Sequence, residues 1–126
     1  MGPVKILIVE DDPTTCTLLK TTFEMEGYQA IVAYSVEDDD VISLLNEQKP
    51  DILLLDYHLG SRDTLEYVTA VRGSSDWQHL PILMTSAIDR SQACLQAGAS
   101  NFILKPFNWD DLTKTIGEIC VQILNS

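Results

Sequence analysis

The stretch KILIVEDDP, residues 5–13, joins an uninterrupted aliphatic run to three consecutive acids. An apolar run of this length without polar alternation is typical of a strand that is covered on both faces of a parallel sheet. Glu10, Asp11 and Asp12 repel one another at the end of that strand, so another group must favour bringing them together. The stretch therefore predicts a buried strand whose carboxyl end carries a candidate functional site.

The rest of the chain repeats this strand pattern four times, in the runs QAIVAY, DILLLD, PILMTS and NFILK. Between the runs lie helix start signals, at Asp12, Ser35, Asp63, Asp89 and Asn108. Strict alternation of strands and helices with right-handed crossovers gives a parallel sheet with helices on both faces. We therefore expect an α/β fold, a flavodoxin-like doubly wound sheet of five parallel strands in the order 2-1-3-4-5, with five helices.

Two predicted helices present a single apolar stripe, and glycines mark two helix ends. Gly27 and Gly98 lie where helix C-caps are expected. Each stripe repeats at helical spacing, so each faces the sheet. The stripes consist of Cys16, Leu19 and Phe23 in the first helix and of Leu112, Ile116, Ile119 and Ile123 in the last.

Length and composition predict one domain, residues 1–126, with a core from Lys5 to Leu124. The net charge of −11 argues against direct binding to nucleic acid or to an anionic membrane surface. The apolar runs are too short for membrane insertion. Three cysteines, far apart and without a CxxC pair, are expected to be reduced thiols. We therefore expect a cytoplasmic protein.

Polar residues fall at the carboxyl ends of four predicted strands. Glu10 and Asp11 end the first strand, Asp56 the third, Ser86 the fourth and Lys105 the fifth. Each of these residues alone could be a solvated turn residue or a cap. Because ligands bind beyond the carboxyl ends of such sheets, at the switch point flanked by strands 1 and 3, the joint pattern favours a functional site.

Clustered carboxylates raise one another's pKa values unless a cation neutralises them. Asp11 and Asp56, with a backbone carbonyl and waters, form an all-oxygen site that suits Mg²⁺ or Mn²⁺ better than zinc. A carboxylate beside such an ion, with Lys105 and Ser86 directed at the same point, is equipped to accept a phosphoryl group as an aspartyl phosphate.

The chain resembles the receiver domains of two-component response regulators, the family of the chemotaxis regulator. The motifs that carry the resemblance are ILIVEDDP, DILLLDYHL, LPILMTSA and AGASNFILKPF, in family order and spacing. Matched by position, Glu10 and Asp11 resemble the metal-site acids and Asp56 the phosphoacceptor. Ser86 resembles the switch hydroxyl and Lys105 the phosphate-binding lysine.

The same resemblance implies a backbone carbonyl ligand at His58 and an aromatic switch residue at Phe102. It implies a sensor histidine kinase or histidine phosphotransfer protein as the phosphoryl donor, and a downstream protein target. It also implies that phosphorylation reshapes the face formed by helix 4, strand 5 and helix 5. The domain is then a signalling domain, not an enzyme, and catalyses only its own phosphorylation and dephosphorylation. The Lys105-Pro106 peptide bond is expected to be cis.

The sequence departs from the family in the loop after Asp56 and around helix 4. Gly60 and Thr64 stand where the motif commonly has proline and glycine, which predicts a less rigid loop. The segment from Ser86 to Gly98 is about three residues shorter than usual and leaves helix 4 roughly two turns.

Two other functions stay open at this stage. One is a degenerate receiver that acts as a phosphorylation-independent binding module. The other is a haloacid-dehalogenase-like phosphatase, although that family would want a second Asp where His58 stands. The chain ends just after the last predicted helix, so we expect a free-standing receiver or a piece of a longer regulator or hybrid kinase.

Overall fold

The computed structural model describes residues 2–125, in which the five strands of one sheet alternate along the chain with five α-helices. A separate two-stranded hairpin pairs His58–Leu59 with Arg62–Asp63, and a 3₁₀ turn spans Glu37–Asp39. The strands of the sheet are β1 (Lys5–Val9), β2 (Gln29–Ala33), β3 (Ile52–Asp56), β4 (Ile82–Ser86) and β5 (Asn101–Leu104). The helices are α1 (Pro13–Met25), α2 (Val41–Gln48), α3 (Leu65–Arg72), α4 (Ser91–Ala97) and α5 (Trp109–Leu124).

The sheet is parallel throughout, with the order β2-β1-β3-β4-β5. All residues of β3 and β4 are buried, as the absence of polar alternation in their sequences predicts. The predicted fold, a flavodoxin-like doubly wound sheet in the order 2-1-3-4-5, is confirmed. No helix within residues 2–125 is long and apolar enough to cross a membrane.

Two apolar clusters cover the two faces of the sheet. Alternate residues of β1 belong to different clusters: Leu7 and Val9 lie on the face covered by α2, α3 and α4, and Ile6 and Ile8 lie on the opposite face. Helices α1 and α5 cover that second face. Their predicted apolar stripes are confirmed, since Cys16, Leu19, Phe23, Leu112, Ile116 and Ile119 are buried and Ile123 is partly buried.

The predicted helix boundaries are right at α1 and α5. The Asp12 side chain accepts a hydrogen bond from the Thr15 amide, and the Asn108 side chain accepts one from the Asp111 amide. Gly98 is the left-handed C-cap of α4, and Gly27 follows the end of α1 with a positive φ of 93°. These residues have the capping roles that the sequence predicts.

The predicted start of the second helix, at Ser35, is wrong. Asp38 and Asp39 have positive φ values of 55° and 54°, so the helical conformation does not continue beyond one 3₁₀ turn. Helix α2 begins only at Val41, where Asp40 is the N-cap and accepts a hydrogen bond from the Ser43 amide. Four consecutive acidic residues offered several possible caps, and the backbone selects the last of them.

Helices α3 and α4 each have an N-cap one residue later than predicted. Thr64 and Arg90 are the N-caps, and neither caps its helix with a side-chain hydrogen bond. The predicted caps, Asp63 and Asp89, instead accept hydrogen bonds from the amides two residues further on. Helix α4 spans seven residues, in agreement with its predicted length of roughly two turns.

The predicted cis peptide bond is confirmed, and the cysteines can be placed. The Lys105-Pro106 peptide bond is cis. Cys16 and Cys94 are buried, Cys120 is partly buried, and none of the three forms a disulfide.

Candidate functional site

The carboxyl ends of the strands bring the predicted site residues to one edge of the sheet. Glu10 follows β1 directly, while Asp56 and Ser86 are the last residues of β3 and β4. Lys105 follows β5, and its amide donates to the Ser86 carbonyl at 2.8 Å. Because β1 and β3 are adjacent in this order, Asp11 also lies near Asp56.

Three carboxylates form the centre of the site. One oxygen from each of Glu10, Asp11 and Asp56 lies within 4.8 Å of the other two. Glu10 and Asp56 are 1% and 7% exposed, whereas Asp11 is open to solvent. An all-oxygen, anionic set with one accessible side fits a hard divalent cation such as Mg²⁺, which binds a few carboxylates and keeps several waters.

Lys105 is the positively charged residue in contact with these carboxylates. Its Nζ lies 2.5 Å from Glu10 Oε1 and 3.3 Å from Asp56 Oδ1. Burial by itself would lower the pKa of Lys105, but the hydrogen bond to Glu10 and the charges of Asp56 and Glu10 outweigh burial and raise this pKa. Lys105 is therefore a fully charged ammonium group in contact with the carboxylate of Asp56.

Glu10 is a buried carboxylate beside a second carboxylate and one lysine. Burial, with added repulsion from Asp56, raises the pKa of Glu10 to about 7, although the hydrogen bond from Lys105 acts in the opposite direction. Glu10 Oε2 also accepts a 3.3 Å hydrogen bond from the Asp12 amide, and its backbone carbonyl accepts one from Cys16 Sγ. The one lysine thus leaves the negative charge of the cluster only partly compensated.

Two threonines that the sequence analysis missed contact Asp56. Thr85 Oγ1 donates to Asp56 Oδ1 at 3.4 Å, and Thr64 Oγ1 donates to the Asp56 backbone carbonyl at 2.8 Å. Both threonines are buried. Thr85 could have been found as a polar residue within a buried strand, but no local sequence signal pairs Thr64 with a residue eight positions earlier.

The residues predicted to act in switching lie on β4 and β5. Ser86 is 2% exposed, and its hydroxyl accepts a 3.2 Å hydrogen bond from the Ile88 amide. Phe102 pairs with Met84 in the sheet and is partly buried. Its ring packs against the apolar cluster under α3 and α4, and the residue also lines a surface cavity along β5 and α5.

The loop after Asp56 forms a short hairpin, and the lower rigidity expected from the sequence stays a prediction. Gly60, with φ of 62°, occupies the turn of this hairpin, and its amide donates to Asp11 Oδ2 at 2.8 Å. His58 lies in the first strand of the hairpin with an exposed side chain, and its ring packs edge-on against Tyr57. The hairpin is thus hydrogen-bonded to Asp11 through its turn.

The family is established by comparison with known proteins. The family model of the response regulator receiver domain matches residues 6–117. The chain belongs to this family, whose members are signalling domains of two-component systems. The resemblance stated from the sequence motifs is confirmed.

Solved structures of receivers superpose on most of the chain. A putative response regulator from Chloroflexus aurantiacus is 29% identical with a TM-score of 0.84, and covers 94% of this chain and 98% of its own. The Vibrio cholerae chemotaxis protein CheY4 is 25% identical with a TM-score of 0.82, covering 94% and 99%. The BeF₃-activated receiver domain of Klebsiella pneumoniae RstA is 30% identical with a TM-score of 0.77, covering 89% and 94%.

Proposed function

We propose that this chain is a phosphoacceptor receiver, in which Asp56 takes a phosphoryl group from a phosphohistidine. The observation that carries the proposal is the contact of Asp56 with Lys105 at 3.3 Å, inside a cluster with Glu10 and Asp11. The donor would be a sensor histidine kinase or a histidine phosphotransfer protein. The net charge of −11 and the three free cysteines support a cytoplasmic domain that does not bind nucleic acid.

A divalent ion completes the site in this proposal. Glu10, Asp11, Asp56 and the backbone carbonyl of His58 would hold Mg²⁺ or Mn²⁺. When bound, the ion supplies positive charge for the oxygens of the transferring phosphoryl group. The carboxylate cluster supports this assignment because its oxygen donors lie within 4.8 Å of one another and share a single lysine.

The transfer itself requires a nucleophile, an electrophile and a leaving group. A carboxylate oxygen of Asp56 attacks phosphorus, an oxygen–phosphorus bond forms and the phosphorus–nitrogen bond to the donor imidazole breaks. The electron pair of the broken bond stays on the imidazole nitrogen. The ammonium of Lys105 turns from the carboxylates to a phosphoryl oxygen, and the Ser86 hydroxyl donates a hydrogen bond to another.

The output of this proposal is a change in the face formed by α4, β5 and α5. Ser86 leaves its hydrogen bond with the Ile88 amide to reach the phosphoryl group, and the Phe102 ring follows inward. The partly buried position of Phe102, between the apolar cluster and the cavity along β5 and α5, supports two alternative ring positions. A downstream protein would bind the changed face.

The test is covalent labelling at Asp56. We expect acetyl phosphate with Mg²⁺ to add one phosphoryl group to the wild type and none to Asp56→Asn, measured by intact mass. Phosphotransfer profiling of both proteins against candidate histidine kinases then identifies the donor. Wild type that stays unlabelled by every donor would indicate a binding module, and sustained release of phosphate from a small ester would indicate a phosphatase.

A further inference from the structure

Thr64 is a buried N-cap residue whose hydroxyl does not cap its helix. Thr64 is 0% exposed and precedes α3, but no side-chain hydrogen bond joins it to the first turn. A capping threonine normally accepts a hydrogen bond from the second or third helical amide, worth about 1 kcal/mol. The Thr64 hydroxyl instead donates to the backbone carbonyl of Asp56 at 2.8 Å and lies 3.3 Å from that of Tyr57.

The carbonyl that Thr64 binds lies just beyond the paired part of the sheet. The amides of Leu53 and Tyr57 donate toward β4, to Pro81 and Thr85. Since backbone groups of successive strand residues point to opposite sides, the carbonyl of Asp56 points toward β1. Pairing of β1 with β3 ends one residue earlier, at Leu55. The Thr64 hydroxyl therefore supplies a donor to a strand carbonyl that lies beyond the pairing with β1.

Thr64 also closes the loop that follows Asp56 and contacts Asp11. Its amide donates to the Tyr57 carbonyl at 2.9 Å, so side chain and main chain of one residue hold two successive peptide units. At the other end of the loop, the Gly60 amide donates to Asp11 Oδ2. The loop is therefore hydrogen-bonded beside Asp56 at its base and to Asp11 at its tip.

We infer that Thr64 is a positioning residue for the phosphoacceptor. Its hydroxyl fixes the peptide unit that follows Asp56. It thereby sets the direction of the Asp56 carboxylate and the position of the loop that contacts Asp11. The inference rests on the proposed function. It assigns a role to a position where the family motif commonly has glycine, which offers no hydroxyl.

The test compares Thr64→Val, which keeps the shape and loses the hydroxyl, with Thr64→Ser, which keeps the hydroxyl. The rate of Asp56 phosphorylation is measured against acetyl phosphate concentration at saturating Mg²⁺. We expect Thr64→Val to lower the maximal rate about tenfold, the effect of one hydrogen bond, and to leave the half-saturating concentration within about twofold. Thr64→Ser should stay within about twofold of wild type in both constants.

Thr69→Val is the matched control. Thr69 lies on α3 with an exposed side chain, and its hydroxyl donates to the Leu65 carbonyl, so the same atoms change away from the site. Its phosphorylation rate should equal that of wild type. If Thr64→Val does not fold, as monitored by urea unfolding, Thr64→Ala is the second variant without a hydroxyl and carries the same expectation.

A measurement without phosphoryl transfer separates this inference from the proposed function. Mg²⁺ binding, followed by the amide chemical shifts of Tyr57 and Gly60, should weaken about fivefold or more in Thr64→Val and less than twofold in Thr64→Ser. Wild type that binds Mg²⁺ but is never phosphorylated would overturn the proposed function alone. Equal affinities and equal rates in Thr64→Val and wild type, or no recovery in Thr64→Ser, would overturn the role of Thr64.

Discussion

Glu10 lies where water barely reaches it, between one carboxylate and one ammonium group. When all three carboxylates are ionised, the single ammonium of Lys105 leaves the cluster with two uncompensated negative charges. A dication would balance this excess. The clustering of negative charge that the sequence KILIVEDDP predicts is therefore present. It involves Glu10 and Asp56 and not Asp12, because the Asp12 side chain caps α1.

The burial of Glu10, with added repulsion from Asp56, predicts a pH-dependent stability. The pKa of Glu10 in the folded protein, about 7, exceeds its ordinary value of 4.5, so the folded state binds more protons between these pH values. Without divalent ions, the free energy of unfolding should fall as pH rises from 4.5 to 7. Asp56→Asn removes one cause of the shift. Its free energy of unfolding at pH 7 should be about 1 kcal/mol higher than that of wild type, and should fall less steeply as pH rises.

Urea unfolding at several pH values, in the presence of a chelator, checks this prediction. Asp76→Asn is the control, because it removes one exposed negative charge at the opposite end of the sheet and should leave the pH profile unchanged. An Asp56→Asn profile that is parallel to that of wild type would contradict the prediction.

Sequence reasoning finds the charged residues of this site because topology alone positions them. A residue at the carboxyl end of β1, β3 or β5 reaches the same edge whatever the details of the loops. Thr64 is different, since its contact with Asp56 exists only after the hairpin between them has closed. The hydrogen bonds that close the hairpin depend on its three-dimensional geometry, which the spacing of residues in the sequence does not predict.

The helix boundaries show the same difference between features that the sequence predicts and features that depend on the folded backbone. Pro13, which suits the first helical position, singles out Asp12 from Asp11 as the cap of α1, and the predicted caps Asp12 and Asn108 are confirmed. Before α2, the acids from Glu37 to Asp40 compete, and positive φ values at two of them decide where the helix begins. Capping preference ranks residue types, but it does not distinguish between adjacent residues of the same type.

Helix α4 is short, and an arginine from α3 holds its end. Arg72 donates to the carbonyls of Gly98, Gln78 and Leu80, at 2.8, 3.0 and 2.7 Å. A Cβ on Gly98 would lie 2.8 Å from Arg72 Cγ, whereas a Cβ on Gly27 would meet nothing within 4 Å. The two glycines share a positive φ and differ in their surroundings, so they form a matched pair.

We expect Gly27→Ala to lower the free energy of unfolding by about 1 kcal/mol, from backbone strain alone. Gly98→Ala should cost about 3 kcal/mol, because Arg72 must also give up hydrogen bonds. Urea unfolding gives both values, and hydrogen exchange should show the loss of protection in α4 before α5. Equal costs in the two variants would mean that Arg72 does not hold α4.

The net charge of −11 acts on the molecule as a whole, while the carboxylate cluster acts at one point. Sodium chloride screens the general repulsion and should raise the melting temperature of any variant with a similar net charge. A bound divalent ion adds a local term that depends on its own concentration and not on ionic strength. These two contributions can be separated experimentally.

At matched ionic strength, Mg²⁺ should stabilise wild type beyond sodium chloride, by about 2.7 kcal/mol at a hundred times its dissociation constant. In Asp11→Asn the amide oxygen can still accept from Gly60, so the loop contact persists while one anionic ligand is lost. The gain from Mg²⁺ should shrink to a small fraction there, and the gain from sodium chloride should not change. Calorimetric melting curves measure both gains. An Mg²⁺ effect that equals the sodium chloride effect in wild type would show that the three carboxylates do not act as one binding site.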